Sequence, residues 1–348
     1  MSLRVGIVGA GLIGGKRSDA LSDGDHVVAV HDIDLARARA LADRTGALAA
    51  TSVDELLEAS PDVVVVATTH DALADASIRC LDAGAHVLVE KPAGLSVGDV
   101  DRVADAAKRA KRLVKVGFNH RFHPGIRRAI SEARSGEYGP VMFMRARYGH
   151  GGRLGYEKEW RANPRMSGGG ELIDQGMHLI DLSNALMGPL TVQGASARTN
   201  YWDMDVDDNA VVVLGDSGRT SPWSAFHVSC SEWKNLFDME IYARTAKWHV
   251  TGLAGSYGPQ VLTTYRMRPE MGPPDVEASP AAEGDVSWAA EWAHFRDAID
   301  AGDHAAALEG GLDDARYAQQ VVQEVYERSG YRLPDGRPID RKENVDAA

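Results

Sequence analysis

Along the first third of the chain, hydrophobic residues gather in short β-branched runs separated by stretches of helical periodicity. The runs fall at residues 3–8, 27–31, 63–67, 86–89 and 113–117, with helices such as 52–59 and 96–111 between them. This alternation is what a parallel sheet with crossover helices requires. Val63-Val64-Val65-Val66 is apolar on both faces, which suits a mid-sheet strand covered from both sides. Beyond about Pro124 the texture changes. A helix near 125–135 leads into runs at 141–148, 194–199, 209–214, 224–229 and 237–243, whose apolar and polar residues alternate as in an antiparallel sheet with one covered face. Residues 269–285, rich in Pro, Gly, Ala and Glu, read as a surface loop, and helices at 286–301 and 312–329 close the pattern.

Composition narrows the class. A chain of 348 residues exceeds one ordinary hydrophobic core and suggests two domains. Apolar residues at 44% and charged residues at 25% fit a folded soluble protein, and no stretch approaches the ~20 apolar residues of a membrane span. The N-terminus runs straight into its first strand, leaving no room for a leader, and Cys80 and Cys230 show no pair spacing for zinc or redox chemistry. Both features point to the cytoplasm. Against 38 Lys and Arg stand 50 Asp and Glu, a net charge of −12, which argues against a nucleic-acid surface. The acidity either serves solubility or steers cationic substrates such as an amino sugar.

Gly9-Ala10-Gly11-Leu12-Ile13-Gly14 follows the first strand and opens a helix. The first glycine permits a tight turn, the second lets a pyrophosphate approach the backbone, and the third lets helix pack on strand. Phosphate then sits at the helix N-terminus, where orphan N–H groups favour anions. Asp32 ends the second strand 18 positions after Gly14, the expected place for a carboxylate that binds the adenosine ribose. Such a carboxylate repels a 2′-phosphate, so NAD is expected over NADP, although Arg37 lies close by in the sequence.

Ligands of open parallel sheets bind at the C-terminal strand ends, which brings in Glu90-Lys91-Pro92 after the fourth run, and Thr68 and His70 after the third. A partly desolvated lysine beside a dinucleotide is suited to act as a general base near neutral pH. A third segment, from Ser167 through Gly168-Gly169-Gly170 to Asp181, spaces Asp174, His178 and Asp181 along one helical stripe among apolar neighbours. This stripe reads as a catalytic pair, as a buried His–Asp pair that orients the helix, or as a metal site. The metal reading is the weakest, because no other His or Cys stands at ligand spacing, and no metal is expected.

Together these residues resemble the glucose–fructose oxidoreductase, inositol dehydrogenase and MocA-like (Gfo/Idh/MocA) family. The resemblance rests on the glycine fingerprint, Glu90-Lys91-Pro92, the run from Gly117 to Pro124, Trp160-Arg161 leading into the glycines, Asp174-x-x-x-His178 and Val206-Asp207-Asp208-Asn209-Ala210. It implies an α/β fold: a doubly wound Rossmann domain over 1–122, then an α+β domain over 123–348 with a large open, mainly antiparallel sheet. The closing helices can pack back on the first domain. It further implies Lys91 at the reacting hydroxyl with Asp174 and His178 as partners, Asn119 and Arg121 near cofactor and substrate, and Trp160 and Arg161 at the nicotinamide pocket. His120 occupies a slot where members of the family vary.

The expected activity is NAD-dependent oxidation of a secondary hydroxyl on a sugar, cyclitol or aminoglycoside, by a homodimer or homotetramer without nucleic-acid or membrane partners. The aromatic and polar stretch from Tyr148 to Trp160 suits a polyhydroxylated ring, with Tyr148 a candidate substrate contact. Asp203 and Asp205 would favour an ammonium group if they face it. Three other readings are a glycosidase working by transient oxidation, a non-catalytic NAD-binding regulator, and a reductase for a non-sugar carbonyl or imine.

Overall fold

A computed structural model describes residues 2–280, 284–302 and 308–332. The chain divides into two compact units, Met1–Asn119 with Trp288–Arg316, and His120–Ser287 with Tyr317–Ala348. No helix among the described residues is long and apolar enough to cross a membrane.

The first unit is built on β1 (Arg4–Val8), β2 (His26–His31), β3 (Leu48–Ala50), β4 (Val63–Val66), β5 (His86–Val89) and β6 (Val114–Val116). They form one parallel sheet in the order β3-β2-β1-β4-β5-β6. The order reverses between β1 and β4, which opens a crevice at their C-terminal ends. Helices α1 (Leu12–Asp19), α2 (Leu35–Thr45), α3 (Val53–Glu58), α4 (His70–Asp82) and α5 (Val97–Ala110) connect the strands. Asp34, Ser52 and Ser96 start α2, α3 and α5 by accepting hydrogen bonds from first-turn N–H groups. All four valines of β4 are wholly buried, as a strand covered on both faces demands. Trp292 and Phe295 of the late helix Ser287–Ala301, α9 in chain order, join the same core as Val5, Ile7, Val30 and Leu88.

In the second unit α6 (Pro124–Arg134) precedes β7 (Val141–Gly149), and the short α7 (Pro164–Ser167) precedes α8 (Met177–Met187). The strands β8 (Thr191–Arg198), β9 (Asn209–Gly215), β10 (Trp223–Ser229), β11 (Leu236–Ala243), β12 (Ala246–Thr251), β13 (Val261–Arg266) and β14 (Asp275–Pro280) follow. The sheet runs β14-β13-β12-β11-β7-β10-β9-β8, antiparallel throughout except for the central β7–β10 pair. Met144, Ala146, Val212, Phe226, Met239, Ile241 and Trp248 fill its inner face, against which α6 and α8 pack. Buried Ser183 of α8 and Ser224 of β10 join hydroxyls at 2.9 Å. Its outer face carries Phe143 stacked between Trp223 at 4.7 Å and Tyr242 at 4.3 Å, flanked by Arg145–Glu240 at 2.5 Å.

The structure corrects the reading of 269–285 as a loop: residues 275–280 form β14, in register with β13 from Arg266↔Asp275 to Val261↔Pro280. Nearly every residue of β14 is exposed, so with no covered face it carries no alternation to detect. The strands β3, β12 and β13 also lie outside the runs named from sequence.

The glycine run before α8 is fixed by backbone contact. A side-chain carbon at Gly170 would lie 1.8 Å from the Asp207 carbonyl oxygen, and one at Gly169 would lie 2.1 Å from the Tyr326 hydroxyl. Tyr326 belongs to α10 (Leu312–Arg328). The Asp207 carboxylate accepts hydrogen bonds from Gly170 N–H, Leu172 N–H and the Tyr326 hydroxyl. Burial nevertheless lifts Asp207 to about 6, outweighing these bonds. Its folded pKa therefore exceeds the unfolded value of 3.8, so its contribution to stability is full below pH 3.8 and is lost as pH rises through 6. Urea titrations at several pH values should show the parent gaining on Asp207→Asn by on the order of 3 kcal/mol as pH falls from about 6.5 to about 3.5. A difference that stays flat over that range would contradict the assignment.

Candidate active site

In the first unit the fingerprint closes on itself. A side-chain carbon at Gly14 would sit 1.9 Å from the Gly9 carbonyl oxygen, and one at Gly9, whose φ is +99°, would sit 2.4 Å from the Ala67 carbonyl. At Gly11 such a carbon would meet open space among the described residues. Gly11 is also the N-cap of α1, and no side chain among the described residues caps it. First-turn N–H groups, an open approach and a tight turn are the fittings a pyrophosphate needs, so these residues fit a dinucleotide. Leu12 is exposed and Ile13 half-buried beside this approach.

Asp32 is held rigidly by the same turn. Its Oδ2 accepts from Ala10 N–H at 2.7 Å and its Oδ1 from Asp34 N–H at 2.8 Å. Each oxygen retains acceptor capacity for a hydroxyl. Thr68 follows β4 against Gly9, its hydroxyl donating to the Thr69 carbonyl, and buried His70 opens α4. At the end of β5, Glu90 N–H donates to Val66 O at 2.9 Å and Ala93 N–H to Glu90 O at 3.0 Å. This clamps the turn that carries half-buried Lys91 and the cis Lys91–Pro92 bond. Asn119, also buried, ends this part of the first unit.

In the second unit the segment predicted as one helix begins with a π turn, Leu172–Gly176, and continues as α8. The wider turn separates Asp174 from His178, and π turns of this kind recur at functional sites. Asp174 is bound by Arg161, whose Nε donates to Oδ2 at 2.9 Å, and the Arg161 guanidinium lies 4.5 Å over the Trp160 ring. His178 stacks on His120 with ring centres 3.8 Å apart and planes 22° apart. Tyr148 lies tilted against His120 and edge-on to His178, and its hydroxyl is hydrogen-bonded to Tyr257 while burial pushes it well above the ordinary tyrosine range.

Arg121 forks onto Asp181, with Nε–Oδ2 at 2.7 Å and a second nitrogen on Oδ1 at 2.5 Å, and both residues are buried. The third member of the predicted stripe is thereby tied to the arginine expected at the substrate. Arg161–Asp174 and His178–Tyr148 are also brought together, whereas Lys91 and the fingerprint belong to the other unit.

Sequence reasoning missed Glu171 and His150. His150 Nε2 lies 3.5 Å from buried Glu171, while its Nδ1 accepts Gly152 N–H at 3.0 Å. Burial opposes charge on this ring, but Glu171 and Asp174 outweigh it and raise the His150 pKa. Buried Tyr156 lies edge-on to His150 at 5.4 Å. The signal available in the sequence was Glu171 three residues before Asp174; nothing local marked His150 as its partner.

Comparison with known proteins bears on both units. Residues 3–118 match the model described as oxidoreductase family, NAD-binding Rossmann fold, and residues 126–252 match the GFO/IDH/MocA C-terminal domain. An inositol 2-dehydrogenase of Saccharopolyspora erythraea is 39% identical over 155 residues, which cover 41% of this chain and 44% of that protein. A D-glucoside 3-dehydrogenase of Escherichia coli is 30% identical over 209 residues, 57% of either chain. The chain thus spans about half the length of these curated relatives. Among solved structures, GenD2 from gentamicin A biosynthesis, in complex with NAD, shares the fold with a TM-score of 0.78, 23% identity and 94% of each chain covered. The chain belongs to the Gfo/Idh/MocA oxidoreductase family, with an NAD-binding Rossmann domain followed by that family's C-terminal domain.

Proposed function

We propose that the protein is an NAD-dependent dehydrogenase that oxidises a secondary hydroxyl of a sugar, cyclitol or amino sugar to a ketone, or runs the reverse reaction. The observation that carries this reading is the polar face of the segment from Leu172 to Met187, where Asp174 and His178 are buried alongside the paired Asp181. Burying ionisable groups costs free energy that packing alone would not ask for. The names of the relatives, dehydrogenases of inositol and of D-glucosides, support the substrate class.

When bound, the nicotinamide supplies the hydride acceptor. In this reading Lys91 takes the hydroxyl proton and His178 shares or relays it. Asp174, gripped by Arg161, fixes the polar end of the segment that carries His178. Asn119, Trp160 and Arg161 serve the cofactor, and Arg121 and Tyr148 shape the substrate side. Asp32 favours NAD, because its carboxylate is pinned where a 2′-phosphate would bring like charge. The stacked aromatic outer face of the second sheet supports a homodimer or homotetramer joined through that face.

The decisive assay is NADH formation, followed by absorbance, with NAD⁺ and a panel of inositols, sugars, sugar nucleotides and aminoglycosides. With the substrate that emerges, Lys91→Ala should lower kcat by about 10²- to 10⁴-fold and leave KM for NAD⁺ close to the parent value. Near-normal turnover would remove the lysine from the mechanism. Asp32→Ala should weaken NAD⁺ binding by roughly tenfold and narrow the preference over NADP⁺, read from titrations with both cofactors. Asp203 and Asp205 are exposed. If they attract an ammonium group, turnover of an amino sugar falls with added salt and in Asp203→Asn while a neutral sugar is unaffected; equal salt dependence would discard the amino-sugar reading.

A further inference from the structure

A buried chain of charges runs through the first unit, and the chemistry above does not use it. Arg17 of α1 is 2% exposed and bridges two carboxylates: it meets Glu90 Oε1 at 2.6 Å and Glu291 Oε2 at 2.6 Å. Glu291, on α9, is wholly buried, and its other oxygen lies 3.9 Å from Nζ of Lys115 on β6, which is also wholly buried and donates to the Glu309 carbonyl. Trp288 closes the outer side, its ring 4.5 Å from the Arg17 guanidinium and 5.2 Å from Lys16 Nζ. Two basic and two acidic side chains thus lie in one buried chain.

Stability gives little reason for such a chain, because well-packed apolar residues would serve as well or better. What it does specify is position. The Glu90 carboxylate lies so close that a side-chain carbon at Gly117 would come within 2.8 Å of it and 2.7 Å of the Arg17 guanidinium. The Glu90 main chain is held by Val66 and Ala93, and Gly117 N–H donates to Val89 O. The residue before Lys91 therefore has both its backbone and its side chain fixed.

We propose that Arg17 and Glu291 are positioning residues for Lys91: by clamping the Glu90 side chain from α1 and α9, they set the turn from which the lysine reaches the reacting hydroxyl. This inference rests on the reading of Lys91 as the proton acceptor and assigns what holds it in place. Glu291→Gln removes one anchor of the guanidinium, and Glu291→Asp keeps the charge.

The test uses the full chain and two readouts. The first needs no substrate: labelling of Lys91 by trinitrobenzenesulfonate at fixed pH, followed by mass spectrometry, with Lys108 and Lys111 as internal references. In Glu291→Gln the Lys91 rate should change by about threefold or more relative to those references, as a locally loosened turn would allow, and Glu291→Asp should restore it. The second is turnover: kcat should fall by about 10- to 100-fold in Glu291→Gln with the Kd for NAD⁺ unchanged. Unaltered Lys91 labelling in a folded Glu291→Gln variant would overturn the proposal, as would a loss of NAD⁺ affinity equal to the loss of turnover. If Glu291→Gln does not fold, Arg17→Lys takes its place, and failure of both to fold would assign the chain to stability alone and equally overturn a positioning role. Lys91→Ala, run alongside, separates the two ideas: full turnover in that variant sinks the catalytic reading while the labelling result still reports on the clamp.

Discussion

Of the places where main chain meets main chain with no room for a side-chain carbon, two carry the rest of the architecture. At Gly14 the obstacle is the Gly9 carbonyl, and at Gly170 it is the Asp207 carbonyl. The first contact seats the N-terminus of α1 at the end of β1, directing its unsatisfied N–H groups at the crevice where the strand order reverses. The second seats the π turn against the strand connection before β9 and so sets where Asp174 and His178 emerge. In each unit a glycine contact fixes the frame, and charged residues are then arranged upon it.

Those charges are expensive, and the structure shows how each is compensated. Arg121 is matched to Asp181 by a two-pronged contact, Asp174 to Arg161, and Asp207 to two backbone N–H groups and a phenol. Asp208 accepts from the N–H groups of Asn200, Tyr201 and Trp202, which holds the acidic loop in shape. Of the carboxylates between 203 and 208, the buried pair Asp207 and Asp208 is therefore engaged in building the backbone, which leaves the exposed Asp203 and Asp205 facing solvent. Paired ions of this kind fix geometry more than they add stability.

Much of the first unit was legible because its signals are local. The valine run, the glycine spacing and Asp32 at the end of a strand each carry their meaning within a few residues, and β1, β2, β4, β5 and β6 appear within a residue or two of where periodicity put them. The second unit was less legible. Gly168-Gly169-Gly170 was visible, but its reason, contact with Asp207 and Tyr326, depends on residues more than 30 and more than 150 positions away. The Glu171–His150 pair and the Arg121–Asp181 fork are likewise products of folding, joined across 21 and 60 positions. Helical spacing put Asp174 and His178 on one stripe, but the π turn between them has no periodic signature.

The outermost strand of the second sheet bears on how the protein behaves in a crowded solution. Among the described residues, β14 ends the sheet with an open row of main-chain donors and acceptors, the kind of edge on which foreign strands accrete. It is short, ends in Pro280 and follows Pro273-Pro274, and it carries Asp275 and Glu277 paired with Arg268, Arg266 and Arg128. A segment approaching to extend the sheet would have to accommodate these charges and a residue that cannot donate. The composition that made this stretch look like a loop is the same composition that guards it against fibrous self-association.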